Sequence, residues 1–212
     1  IFQPRRWAVE ALARLGAKNI LLEYLFLPKD VADPEDRFGE EAVESAAARF
    51  LSAWPDDDMF QRLLELSENH MLIGLIETLA DYRRAEAMPY FERALEDDYY
   101  RLAAKNAFVK MGALSRETLV SSAITPKPHS SSETPSSLRR RRTAVAILSE
   151  IGILAEDWRI LKKLTAESDV ELVVNVSKLA TDFASEKERG MIVRRLRKLA
   201  HPAPWDLQEE IK

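Results

Sequence analysis

Three stretches of this chain end on glycine and superimpose on one another: RRWAVEALARLG (5–16), RLAAKNAFVKMG (101–112) and RRTAVAILSEIG (141–152). Aligned on that glycine, Arg5, Ala8, Ala11, Leu12 and Leu15 match Arg101, Ala104, Ala107, Phe108 and Met111. They also match Arg141, Ala144, Ile147, Leu148 and Ile151. The matched positions recur at helical spacing and trace one face of an α-helix. The closing glycine, Gly16, Gly112 or Gly152, falls where a helix ends in a left-handed residue. A short helix with one apolar face must bury it against neighbours, so a recurrence of this kind limits the possible folds more than composition does.

A second amphipathic stretch follows each copy: NILLEYLFL, RETLVSSAI and DWRILKKLTAES. The unit is therefore a helical hairpin. Degenerate copies without the glycine keep the spacing at Ala47, Phe50, Leu51 and Trp54, at Leu75, Leu79 and Tyr82, and at Val176, Leu179, Ala180, Phe183 and Ala184. About six hairpins with a period of about 30 residues then account for the chain. Scarce glycine and abundant Ala, Leu, Glu and Arg favour helix throughout. The expected fold is all-α, an α-solenoid in which the hairpins stack across a single domain, 1–212.

Two longer intervals interrupt the period. Residues 28–37 (PKDVADPEDR) and 125–138 (TPKPHSSSETPSSL) read as elongated inter-repeat loops. The second is poor in apolar side chains and is expected to be mobile. Arg141 shares the register of Arg5 and Arg101, so the run Arg139–Arg142 is expected to open the first helix of a hairpin, with Thr143 in its first turn. Thr125 and Thr134, each followed by proline, and Thr143 in RRRT are candidate phosphorylation positions.

The stretch AMPYFERALEDDYYRLAAKNAFVKMGA (87–113) resembles the HEAT family, particularly the short HEAT-like repeats first associated with phycobilisome lyases. It presents a second helix, an Asp-containing turn, an arginine and the Ala-rich first helix of the next repeat. The resemblance implies a right-handed stack whose second helices line a concave groove. It also implies three functional classes: a protein-interaction scaffold, a nucleic-acid binder like the HEAT-like alkylpurine DNA glycosylases, and a bilin-lyase-like enzyme subunit.

Cysteine is absent, which removes disulfides, thiolate metal sites and cysteine nucleophiles, and fits a reducing cytoplasm. The longest apolar stretches are too short or too interrupted to span a bilayer. The chain opens at Ile1 directly in a helical pattern, as expected of a piece of a longer protein. His70, His129 and His201 are dispersed and none is followed by Glu, so the His-Glu pairs of HEAT-type iron hydroxylases are missing. Neither a phosphate-binding loop nor a nucleophile elbow is present. The acidic clusters PDDDMF and LEDDYY lack calcium-loop spacing and read as helix caps. Catalytic, metal and cofactor sites are therefore not expected, and the four tryptophans are assigned to core positions or helix ends.

Charge is unevenly distributed. Residues 1–126 carry a net charge of −7 and residues 127–212 a net charge of +3. In the basic part, Leu161 and Leu164 are expected to face the core with Arg159, Lys162 and Lys163 outward. Likewise Ile192, Leu196 and Leu199 form a core stripe that leaves Lys187, Arg194, Arg195 and Lys198 exposed. Both stripes fall on expected second helices, so they predict a basic patch that binds a partner. That partner is a protein or, alternatively, a nucleic acid; a solvated charged face is the competing interpretation.

Overall fold

In the computed structural model, the residues described are 2–29, 31, 33–129, 132–200 and 204–211. They form two compact units, 1–111 and 112–212, each almost entirely helical.

The first unit contains α1 (Phe2–Arg14), α2 (Lys18–Phe26), α3 (Pro34–Leu51), α4 (Asp57–Ser67) and α5 (Ile73–Asp81). A 3₁₀ turn (Ala85–Ala87) then leads into α6 (Met88–Ala94) and α7 (Arg101–Met111). Alternate helices pack on one another: α1 on α3, α3 on α5, α5 on α7. The intervening helices lie against that row, α2 on α1 and α3, α4 on α5, α6 on α7. Fully buried Leu25, Leu51, Phe60, Leu63, Leu75, Leu79, Phe91 and Phe108 fill the space between. Small residues set the α3–α5 distance. A Cβ added at Gly74 would stand 1.9 Å from the Ser45 carbonyl oxygen, and Thr78 Oγ1 donates to the Ala48 carbonyl at 2.9 Å.

The second unit begins with a 3₁₀ turn (Gly112–Ser115) and α8 (Arg116–Ile124). The two-residue strands β1 (Pro128–His129) and β2 (Ser132–Glu133) pair antiparallel. Then come α9 (Pro135–Ile151), α10 (Ala155–Leu161), a 3₁₀ continuation (Lys162–Ala166), α11 (Val170–Phe183), α12 (Glu186–Ala200) and α13 (Trp205–Ile211). Helix α9 packs between α8 and α11, α10 touches α8 and α11, and α12 packs on α11 and on the 3₁₀ continuation.

The three repeat glycines are the glycines with positive φ among the described residues: +73° at Gly16, +59° at Gly112 and +83° at Gly152. Each therefore ends its helix in a conformation that side chains with a Cβ resist. The repeat face is buried in α7 (Ala104, Ala107, Phe108, Met111) and in α9 (Ala144, Ile147, Leu148). In α1 it is not. Leu15 is 81% exposed and Val9 is the residue that α1 buries, since only α2 and α3 make substantial contact with it. Asp56 caps α4 by accepting from Met59 N–H at 2.8 Å, whereas Asp97 accepts from Tyr99 N–H at 2.8 Å within the turn that precedes α7, so the first acidic cluster lies at a cap and the second in a turn.

Both expected loops are shorter than 28–37 and 125–138. Asp33 caps α3, with proline at its first position, and Thr134 caps α9 in the same way, accepting from Ser137 N–H at 3.2 Å. Proline is preset for the first helical turn, so each helix begins inside the expected loop. The second segment is also not free. Lys127 N–H donates to Ser137 Oγ at 2.8 Å, Thr134 N–H to the Lys127 carbonyl at 3.2 Å, and Ser137 Oγ to Glu133 at 2.7 Å. Thr143 lies well past the first turn of α9, with its hydroxyl donating to the Arg139 carbonyl at 2.9 Å.

The arginine run therefore sits mid-helix, and two of its members are core residues. Arg140 and Arg141 are each 2% exposed. Arg140 donates to the Thr125 carbonyl at 2.7 Å. Arg141 donates from Nε to the Ala123 carbonyl (2.8 Å), from Nη1 to Glu133 (2.6 Å) and from Nη2 to Glu167 (2.7 Å). Arg142 pairs with Asp169, the cap of α11, and with Glu171 at 2.7 Å. The planar guanidinium matches these divergent acceptors, so one run ties α8, the β1–β2 segment and the start of α11 to α9.

Candidate partner-binding cleft

The seven basic residues singled out in the sequence all lie in the second unit. Leu161 and Leu164 are buried, which turns Arg159, Lys162 and Lys163 to the surface. On α12, Ile192 is buried and Leu196 and Leu199 are half-buried, with Lys187, Arg194 and Lys198 exposed. Arg195 differs from the expectation: it is half-buried, and its Nη2 donates to the Glu167 carbonyl at 2.8 Å. Its place on the helix, three residues beyond buried Ile192, draws the guanidinium stem toward the core.

Lys162 and Arg195 meet in one cleft of about 450 Å³. One wall is Trp158, Lys162, Thr165 and Ala166, from α10 and its 3₁₀ continuation. The other is Glu188, Met191, Ile192 and Arg195, from α12. Arg159, Lys163, Lys187, Arg194 and Lys198 are not in the lining. Lys187, Arg194 and Lys198 fall four before, three after and seven after Met191, so they form the adjacent row of α12.

Each wall is fixed by local chemistry. Asp157 accepts from Leu154 N–H at 2.8 Å and pairs with Arg116 at 3.3 Å, which anchors the start of α10. Ser185 and Glu188 form a reciprocal cap on α12. The Glu188 carboxylate accepts from Ser185 N–H and Oγ, each at 2.9 Å, and Ser185 Oγ accepts from Glu188 N–H at 3.3 Å. Glu188 also accepts from Lys162 at 2.9 Å. The backbone N–H of Ser185 first, then Lys162 and the Ser185 hydroxyl, hold its pKa down to about 2. Its charge is thus committed inside the protein, although it is the acidic residue of the cleft.

Two donors in the lining lack acceptors. Trp158 is 4% exposed, and among the described residues its Nε1–H has no partner; the buried Nε–H of Arg195 has none there either. Each unpaired buried donor costs about 1–3 kcal/mol, so two beside one opening are unusual. Helical spacing alone assigned Trp158 to a helix opening. The signals that place the cleft were the Trp158–Lys162 spacing of four residues and the Ser-x-x-Glu pattern at 185–188.

Other clusters have different chemistry. In the first unit, Glu40 and Glu44 are buried at 5% and 6% exposure. Glu40 pairs with Arg5 and accepts from Tyr24 Oη at 2.6 Å, and Glu44 pairs with Lys29. Burial, reinforced by neighbouring Glu44, raises the pKa of Glu41. The buried Nδ1 of His70 has no partner among the described residues; His201 lies outside them. Among the described residues, no group of three or more His, Asp or Glu is placed to hold a metal ion, and no helix is long and apolar enough to cross a membrane. Set against models of known protein families and against characterised proteins, the chain matches none.

Proposed function

We propose that this chain is a HEAT-like α-solenoid, one array of about six hairpins, that acts as a non-catalytic scaffold holding a protein partner in a reducing compartment such as the cytoplasm. Supporting the repeat are the alternate-helix packing within each unit and the three glycine-closed helices. The binding role is carried by one observation: α10 and α12, the expected second helices, present Lys162 and Arg195 in a common cleft beside the exposed row Lys187, Arg194 and Lys198. Extended helical-repeat surfaces serve this purpose without catalytic groups.

The net charge of +3 on the second unit favours nucleic acid as the second reading. Affinity capture from a native lysate separates the two, with the wild-type protein and an Arg194→Glu/Lys198→Glu variant, each with and without nuclease. A discrete protein that survives nuclease and is lost in the variant supports the scaffold. Capture that disappears with nuclease replaces it with nucleic-acid binding, and equal capture by both proteins refutes the basic row as the contact.

A further inference from the structure

We infer that the α10–α12 cleft binds an acidic peptide segment in which an Asp or Glu side chain is next to an apolar one. The inference rests on the scaffold reading and specifies its ligand chemistry. Three observations converge on it. Trp158 Nε1–H and Arg195 Nε–H, both in cleft-lining residues, have no acceptor among the described residues, and Trp158 is 4% exposed. Indole and guanidinium groups donate and do not accept, so only an acceptor-bearing occupant pairs them. A carboxylate is acceptor-only and has lone pairs for both.

The second observation is electrostatic. Glu188, the acidic group of the lining, is already bound by Ser185 and Lys162, whereas Lys187, Arg194 and Lys198 stand exposed on the neighbouring row of α12. An incoming carboxylate therefore meets net positive charge. The third is the remaining lining. Met191, 48% exposed, and Ile192 supply an apolar surface in a space of about 450 Å³, within the range that takes up a side chain and its neighbours. A nucleic-acid phosphate satisfies the donors but leaves exposed Met191 without an apolar counterpart, which favours the peptide.

Selection from a random 12-residue peptide library displayed on phage tests this, with the intact chain as bait. Enriched peptides are then synthesised with a fluorescent label and titrated by anisotropy. The expected consensus contains Asp or Glu beside a large apolar residue. Trp158→Phe keeps the ring and removes the N–H. It and Arg195→Gln are each expected to weaken binding by about tenfold or more. Replacing the peptide carboxylate by its amide should cost the wild type the same factor and cost Trp158→Phe much less, a coupling that a merely structural role of Trp158 does not produce.

Unchanged thermal unfolding midpoints verify that both variants fold; a variant that unfolds is replaced by the exposed-site change Lys162→Gln. Peptides that bind wild type and cleft variants equally overturn the cleft and leave the scaffold standing. Enrichment of peptides without acidic residues overturns the carboxylate assignment. Absence of any enrichment, with salt-sensitive binding of a 20-nucleotide single-stranded DNA, overturns both.

Discussion

Arg141 shows how one side chain can occupy a position of a recurring sequence pattern and also act as a structural clamp. It is 2% exposed and uses Nε, Nη1 and Nη2 on three acceptors from different segments. Arg141→Met is expected to destabilise the protein by about 1–3 kcal/mol, since it removes the donor to the Ala123 carbonyl and the ion-pair partner of Glu133 and Glu167. Arg141→Lys should recover little of that, because a single ammonium cannot reach three divergent acceptors. Urea unfolding of both variants measures the difference, and a loss near zero for Arg141→Lys would mean that charge alone matters. Arg5 and Arg101, its counterparts in the sequence alignment, are more exposed and pair with buried Glu40 and exposed Asp98 respectively.

At the scale of helices, closure and close approach are separable. An added Cβ meets nothing within 4 Å at Gly112 or Gly152, so substitution there tests backbone conformation alone. Gly112→Ala and Gly152→Ala should each cost about 1–2 kcal/mol. Gly74 is the opposite case: its φ is not positive, but a Cβ would collide with the backbone of Ser45. Gly74→Ala is expected to push α3 and α5 apart at a cost of about 1–3 kcal/mol, with loss of the Thr78–Ala48 hydrogen bond. Leu148→Ala, at a fully buried position of α9, should cost about 2–5 kcal/mol as a cavity. Equilibrium denaturation ranks the four, and a Gly74→Ala variant as stable as wild type would show that the helix pair can relax.

Across the whole chain, net charges of −7 on residues 1–111 and +3 on residues 112–212 coexist with carboxylates held below their ordinary pKa. Asp56 is held down first by Met59 N–H, Glu86 by Arg84, and Glu188, to about 2, by Ser185. A depressed folded-state pKa contributes stability that is complete above the unfolded value and is lost as pH falls through the folded one. Glu41 acts in the opposite sense, since burial raises its pKa and protonation relieves it. The three depressed groups outnumber it, so stability should decline from about pH 5 toward pH 2. Glu188→Gln should flatten the lowest part of that decline. Urea midpoints measured across the range check both, and an unchanged slope in Glu188→Gln would remove the cap from the explanation.

Local periodicity and turn chemistry were enough to define the all-helical character, the positive-φ glycines, the Asp56 cap and the outward face of Arg159, Lys162 and Lys163, because each depends on residues within a few positions. The buried arginines and the cleft were decided by tertiary structure. Arg141 is buried only because acceptors 18 and 26 residues away converge on it. Helical spacing brings the stem of Arg195 toward the core, but its guanidinium is held there by the Glu167 carbonyl, 28 residues away. A run of four arginines has the same local pattern whether water or a carbonyl lies opposite, and desolvation, not helical spacing, distinguishes the two.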